Sequence, residues 1–343
     1  MKKILFILIF FYAHSFADQL PDLGSTSDNI INKVHEKKIR YQILSQAYSS
    51  KLVARDPELI FYINNLGARL LKGVPELNKK NTTFFTIKDP TINAFAMLGG
   101  IIGIHTGLLY AANSESELAS VLAHEIAHQF GAFHTFGYEN EFEGVSSEPG
   151  SGSTIMGYAG ITGSDNVQKH SDPYFHYHSL KNINDYVQNQ TCYTSSLIEN
   201  NPPTVNAGAD YTIPIGTPYE LKATASDPDN LKLYYCWEQL DSGEVGTNNF
   251  GPNFHLGSQA RSLPPTESAI RTIPRMETVL DGKLTETNPS IGSNWETVSN
   301  IERTLTWGVT VRDYFPALAN GNGKTTSDAR ILKVTSKAGP FQI

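Results

Sequence analysis

An α+β domain followed by an all-β sandwich is the fold class that this 343-residue sequence predicts. Three observations carry it. Up to about residue 190 three stretches carry helix signals, with two strand-like runs between the first two. Beyond residue 203 short alternating runs replace that pattern, and an Asn-Asn-Pro-Pro run at 200–203 punctuates the change. The expected boundaries are therefore 18–199 for the first domain, 200–203 for a linker and 204–343 for the sandwich.

The chain opens with Met1-Lys2-Lys3, an apolar run over 4–12 and Ser15-Phe16-Ala17 before Asp18, which is the pattern of a signal peptide over 1–17. The run is too short to span a bilayer and no later segment reaches the length, so the mature chain is expected to be exported, to the periplasm or beyond, without a transmembrane segment. No cysteine lies near the cut, which argues against a lipid anchor. Peripheral association with the envelope stays open. Formal charge is -7. Loss of Lys2 and Lys3 moves it to -9, a balance that excludes nucleic acid as the expected partner. Cys192 and Cys236 are the only cysteines, too few for a disulfide framework; Cys236 reads equally as a buried thiol or half of a bridge.

Residues 28–75 read as helical: Ile39, Ile43, Leu44 and Ala47 share one face, as do Leu59, Ile63, Leu66, Leu70 and Leu71. A strand is expected over 82–88 and a second extended region over 94–105, broken at Gly99-Gly100. Ser114 and Glu117 form a capping box that opens a helix running through His128. Loop follows, rich in glycine from 137 to 152, and Ser171-Asp-Pro173 signals a further helix ending near Gln190. Strands are expected at 211–214, 219–225, 233–238, 305–312 and 330–335, in an antiparallel sandwich. The stretch 248–300 reads as a large insertion, or two strands with loose loops.

One run carries chemistry: His124-Glu-Ile-Ala-His128-Gln-Phe-Gly131-Ala-Phe-His134. A helix places His124 and His128, four residues apart, on one face where both imidazoles reach one metal ion. Glu125 projects beside that face, placed to take a proton from a metal-bound water. Gly131 lets the chain leave the helix with positive φ, and His134 can swing back to the same ion. Three neutral imidazoles leave the fourth position of a tetrahedral Zn2+ open, the catalytic rather than the closed structural arrangement. Strands followed by one long helix bearing the ligands is the order of a zincin-type fold. Glu139, Glu141 and Glu143 follow closely, and each is a candidate substitute for His134 as third ligand. His176 and His178 suggest a second metal site only if they lie on a strand; the Pro173 signal places them on a helix, where they diverge. His105 reads as structural.

The first half resembles the HtpX- and BepA-type exported zinc metallopeptidases, over about 28–128. The likeness rests on Asn93-Ala94-Phe95, on Gly99-Gly100-x-Ile102-Gly-Ile-His105-Thr-Gly107-Leu-Leu109 and on Ser114 through His128. It implies that Asn93, Ala94 and Phe95 belong to an edge strand that pairs with extended substrate. That family's third ligand is a glutamate in a Glu-x-x-Ala-Asp context, which has no counterpart after His128. The segment 124–198 instead resembles the reprolysin-like metzincins, on His128 through His134 and on Ser153-Thr-Ile-Met156-Gly-Tyr158-Ala-Gly. This likeness implies His134 as third ligand and Met156 as an apolar floor beneath the metal. It also implies that Tyr158 stands where some metzincins place a tyrosine beside the metal, either stabilising the transition state or merely packing. The run 202–210 resembles the start of PKD/immunoglobulin-like modules. Together these imply a zincin-type catalytic domain with an immunoglobulin-like sandwich that supplies no catalytic group. The implied activity is that of an exported zinc-dependent metalloendopeptidase acting on unfolded or extended proteins, with zinc-bound hydroxide as nucleophile and Glu125 as general base. The competing class is an envelope-assembly or binding protein that keeps the motif with little turnover.

Overall fold

The structure, a computed structural model, describes residues 33–71, 82–97, 99–139, 141, 144–190, 199–314 and 323–337. The expected leader, Cys192 and Glu143 lie outside these residues. The helical run of 28–75 is two helices where it is described, α1 (Lys33–Ser49) and α2 (Pro57–Leu70). Between them Lys51 adopts φ 62° and Val53 bridges to Ile87, so the chain turns and touches the sheet before starting again. Asp56 caps α2 by accepting from the amides of Glu58 and Leu59, and Pro57 has no amide proton to leave unpaired.

A three-stranded sheet follows, in the order β1 (Thr83–Ile87), β3 (Ile101–His105), β2 (Ala94–Met97). β1 and β3 are parallel, β2 is antiparallel to β3, and Gly99 (φ 85°) and Gly100 (φ 70°) make the turn between the latter two. Alternation sorts the side chains onto two faces. Phe84, Ile102 and Ile104 join Ile63 and Leu66 of α2 and Leu118 and Leu122 of α4 (Glu115–Gln129) in one core. Phe85, Ile87 and Ile101 meet Ile43, Leu44 and Ala47 of α1 in the other. The sheet is thus covered on both faces, and β2 is left at an edge. A short helix α3 (Thr106–Ala111) links β3 to α4. Gly107 admits the Pro90 carbonyl oxygen to 2.1 Å of where a Cβ would stand, so no larger residue fits there.

The helix signalled by Pro173 begins later, as α5 (Tyr177–Gln188), with His176 as its cap. Residues 172–174 are instead held against 153–155, because Asp172 N donates to Ser153 O and Ile155 N to Tyr174 O. His176 and His178 do not diverge as expected: their rings lie 5.5 Å apart, one at the cap and one in the first turn. Among the described residues neither belongs to a group of three placed to hold a metal. His176 faces Glu238 at 3.9 Å and His178 Nε2 lies 3.3 Å from Leu240 O, so both tie α5 to the following sheet.

Among the described residues the C-terminal part is all-β apart from α6 (Met276–Leu280). Its strands are β4 (Thr204–Asn206), β5 (Tyr211–Pro214), β6 (Tyr219–Lys222), β7 (Thr224–Ser226), β8 (Tyr234–Gln239), β9 (Ile270–Ile273), β10 (Arg303–Arg312) and β11 (Thr325–Thr335). The main sheet runs β5-β11-β10-β8, with two-stranded sheets β4-β7 and β6-β9. Two expectations are corrected. The main sheet is mixed, because β5 runs parallel to β11. The run 219–225 divides between two sheets at Ala223. Leu221, Trp237, Trp307, Val309 and Leu332 form the core. Cys236 is a buried free thiol, its ionisation pushed up by burial.

Residues 248–300 are not loose. Phe250 and Trp295 pack with Val245 and with Val167 of the first part, and Ala260 bridges Glu296. Average hydrophobicity missed this because two large aromatics and hydrogen-bonded Ser, Gln, Arg and Glu do the filling. The two parts share a network of contacts. Gly150 N donates to Val245 O (2.7 Å), Gly243 N to Ser146 O (3.0 Å) and Thr247 N to Asp165 Oδ1 (2.7 Å).

His178 makes this junction sensitive to acid. Burial, then the neighbouring His176, lowers its pKa from the ordinary 6.5 to about 4. Between those values the unfolded chain binds the proton that the folded chain refuses, so stability falls as pH falls from 6.5 through 4. The residue's share of that loss is about 3 kcal/mol at most. Denaturant titrations at pH 7 and 4.5 should show a smaller acid loss in His178→Gln than in the wild type; equal losses would remove His178 from the account.

Candidate metal centre

The site is built on α4. Ser114 caps it by accepting from Glu117 N (3.2 Å), while the Glu117 carboxylate reaches back to Asn113 N (2.7 Å). The helix carries His124, Glu125 and His128, then ends at Phe130, and Gly131 turns the chain at φ 77°. A Cβ at Gly131 would press on the Tyr186 ring as well as strain the backbone. The exit brings His134 back over the helix.

The three imidazoles converge by their Nε2 atoms. His124 and His128 are 3.1 Å apart there, His128 and His134 3.1 Å, and His124 and His134 3.2 Å. Each Nδ1 has an oxygen partner on the opposite side of its ring: Ile155 O for His124 (2.8 Å), Ala132 O for His128 (2.8 Å) and the Glu141 carboxylate for His134 (2.6 Å). Donation from each Nδ1 fixes the tautomer and leaves three Nε2 lone pairs facing one another, an arrangement that one shared cation relieves. Three nitrogens bound to one zinc at about 2.0–2.1 Å in a tetrahedron stand roughly 3.3 Å apart, so the donor set fits that ion. Among the described residues this is the one His/Cys/Asp/Glu group placed to hold a metal.

Burial keeps the His124 and His128 rings neutral. It lowers the pKa of His128 to about 3, with His134 adding to the effect, and drives His124 well below the ordinary value. Protons therefore compete little with a metal at neutral pH. Burial acts oppositely on Glu125, raising its pKa to about 7 against the pull of the Ala96 amide that donates to it. A carboxyl so poised exchanges protons readily near neutrality. Its partner Ala96 lies on β2, so the edge strand and the Glu125 carboxyl share one wall.

Met156 is fully buried, in one apolar cluster with Ala127, Ala132 and Ile155. Tyr158 Oη lies 3.0 Å from His134 Nε2, on the side of the converging nitrogens, and its ring packs on Phe136. Asn93, Ala94 and Phe95 lie at the start of the β2 edge: Asn93 O accepts from His105 N, and Phe95 stacks edge-on to His105 and covers Gly103. His105 is buried, with Nδ1 2.7 Å from Thr91 Oγ1, which supports the loop leading into that strand. Of the substitute ligands considered, Glu141 approaches His134 from the far side of the ring, away from the nitrogen cluster, and Glu139 is exposed.

Glu148 escaped the sequence reading. It is the one charged residue in 144–164, a signal of a sort in so polar and glycine-rich a loop. Its buried carboxylate accepts from Thr135 Oγ1 (2.6 Å), Ser153 N (2.8 Å), Thr154 N (3.1 Å) and the Thr154 hydroxyl. It thereby clamps the residue after His134 to the turn that presents Met156. Glu148→Ala strands several buried donors and should cost about 3 kcal/mol or more. Urea unfolding measures this, and a loss below 1 kcal/mol would show that the clamp is not needed.

Comparison with known proteins finds two families meeting on α4. Residues 62–136 match peptidase family M48, and residues 105–186 match metallo-peptidase family M12B, reprolysin-like. The chain is similar to the putative beta-barrel assembly-enhancing protease of Vibrio cholerae, at 43% identity over 110 residues, covering 32% of this chain and 22% of that protein. It is similar to the beta-barrel assembly-enhancing protease of Escherichia coli K12 at 38% over 112 residues, 33% and 23% of the two chains. Against the mitochondrial metalloendopeptidase OMA1 of Schizosaccharomyces pombe it is 26% identical over 124 residues, 35% and 36% of the two. The chain thus spans between a fifth and two fifths of these relatives' lengths. Both matched stretches are metallopeptidase sequence, and the overlap, 105–136, contains all three histidines and Glu125.

Proposed function

We propose that this protein is a zinc-dependent metalloendopeptidase in which His124, His128 and His134 hold the metal. The observation that carries the reading is the convergence of three Nε2 atoms within 3.2 Å, with every Nδ1 committed to an oxygen. Bound there, zinc supplies Lewis-acid polarisation of a carbonyl and acidifies water. The chain's own groups do the rest. Glu125 accepts the proton of the attacking water at its carboxylate and returns it to the leaving amine. Tyr158 Oη donates a hydrogen bond to the oxygen that gains charge in the transition state. The β2 edge, from Asn93 to Met97, offers its outward backbone groups to an extended peptide, which favours unfolded or unstructured segments over any strict side-chain code. Met156 supports the ligands from below.

The leader pattern at 1–17 supports an exported enzyme of the periplasm or medium. Relatives named for beta-barrel assembly support substrates among envelope proteins that have yet to fold. Among the described residues no helix is long and apolar enough to cross a membrane. The all-β part, 204–343, fits an immunoglobulin-like module of the PKD kind that follows the catalytic domain and supplies no catalytic group.

The test is hydrolysis of unfolded casein by the purified chain, measured with and without chelator and after zinc is restored. Cleavage that stops on chelation and returns with zinc supports the reading. Stoichiometric zinc without any cleavage would favour an assembly or binding protein that keeps the motif.

A further inference from the structure

A line of hydrogen bonds runs from the C-terminal sheet to a metal ligand. Glu238 on β8 is fully buried; one carboxylate oxygen accepts from Tyr177 N (2.8 Å), at the start of α5, and the other from Ser262 Oγ (2.6 Å). Ser262 Oγ lies 2.7 Å from Tyr174 Oη, and the Ser262 carbonyl accepts from Ser153 Oγ (3.1 Å). The Tyr174 carbonyl accepts from Ile155 N (3.1 Å), and the Ile155 carbonyl takes the Nδ1 proton of His124 (2.8 Å). Tyr174 and Ser262 are buried as well, so water cannot replace a partner that is removed. The Met156 turn is thus gripped on two sides. Glu148 holds it from its own loop, and the Tyr174–Ser262–Glu238 line holds it from β8 and the segment before β9.

We propose that Glu238, acting through Ser262 and Tyr174, is a positioning residue for the Met156 turn and for His124, so that the all-β part is a structural wall of the metal centre. The proposal rests on the metal reading given above. Its physical basis is that the carbonyl receiving the His124 proton sits on a turn with little regular structure of its own. A turn of that kind takes its position from whatever anchors it, and small displacements of an oxygen partner alter a ligand's orientation and basicity. A chain ending near Glu199 would lack both Ser262 and Glu238.

The full-length chain tests this with Glu238→Ala, Ser262→Ala and Tyr174→Phe, the last deleting only a hydroxyl. Glu238→Gln serves as the conservative variant. Glu296→Ala is the control, because Glu296 is as buried in the same part but its carboxylate pairs with Arg271 and Arg275 and contacts neither Ser262 nor Tyr174. Zinc affinity of the folded protein is measured by chelator competition, the visible absorption of the cobalt-loaded form reports ligand geometry, and near-ultraviolet circular dichroism reports folding. The expected result is a weakening of zinc binding by about tenfold or more in the three line variants, as for other outer partners of ligands. The cobalt band should move, most of both effects should be recovered in Glu238→Gln, and Glu296→Ala should lose stability only. Wild-type affinity and an unchanged cobalt band in the folded line variants would overturn the proposal, as would an equal loss in Glu296→Ala. Should Glu238→Ala fail to fold, Ser262→Ala and Tyr174→Phe decide. A wild-type chain that takes up neither ion overturns the metal reading itself, and the wild-type sample reports that separately.

Discussion

Glu125→Gln keeps zinc at the wild-type stoichiometry and loses hydrolysis by about 10²–10⁴-fold, the range for removal of a positioned general base. Glu125 lies beside the nitrogen cluster and belongs to none of its contacts, so the metal has no reason to leave. The same substitution has a second signature in the metal-free protein. Burial raises the folded pKa to about 7 from an ordinary 4.5, so the folded chain holds this proton more tightly than the unfolded chain does. The stability tied to that proton is fully present below pH 4.5 and is lost as pH rises through 7. At pH 8 the buried carboxylate costs about 3 kcal/mol, which glutamine avoids. Metal-free Glu125→Gln should therefore be more stable than the wild type at pH 8 and little different at pH 4.5. Activity within threefold of wild type in the zinc-loaded variant would remove Glu125 from the mechanism. A stability gain independent of pH would contradict the burial account.

His134→Ala abolishes tight zinc binding and with it hydrolysis, because one of three first ligands is gone and a pair of imidazoles is a weak site. Glu141→Ala is expected to behave differently. The carboxylate bonds His134 Nδ1 at 2.6 Å and orients the ring, so its loss should weaken zinc about 10–100-fold while excess zinc restores turnover. Exposed Glu139, replaced by alanine, should change neither quantity. Zinc content after dialysis against a graded chelator separates the three. A Glu141→Ala protein that loses zinc completely, beside a His134→Ala protein that keeps it, would make the carboxylate the ligand and overturn the three-histidine site.

Much of the site is local in sequence, which is why it could be read. His124, Glu125 and His128 need only a helix to share a face, and Ser114 and Glu117 announce where that helix starts. Gly131 announces where it stops, and His134 follows six residues after His128. The strands flanking Gly99-Gly100 were legible for the same reason, since each depends on alternation over a few residues. The start of α5 was not, because Pro173 is a permissive signal and the pairing of 172–174 with 153–155, some twenty residues away, overrode it. The order of buried residues in 248–300 was hidden too, for there hydrogen-bonded polar side chains and two aromatics fill the space that a scale of hydrophobicity assigns to solvent.

By itself the sequence determined that His124, Glu125 and His128 share one helix and that His134 follows its glycine exit, because spacing within one element and its end fixes them; the edge position of Asn93 to Phe95 was implied by the family resemblance. Only the tertiary structure decided what holds those groups in place. The Glu141 contact with His134, the Glu148 clamp and the line from Glu238 to His124 join residues separated by 7, up to 13 and more than 100 positions. Contacts of this kind arise from the packing of loops that carry no periodicity, and a buried polar side chain leaves no mark on a sequence until its partner is known.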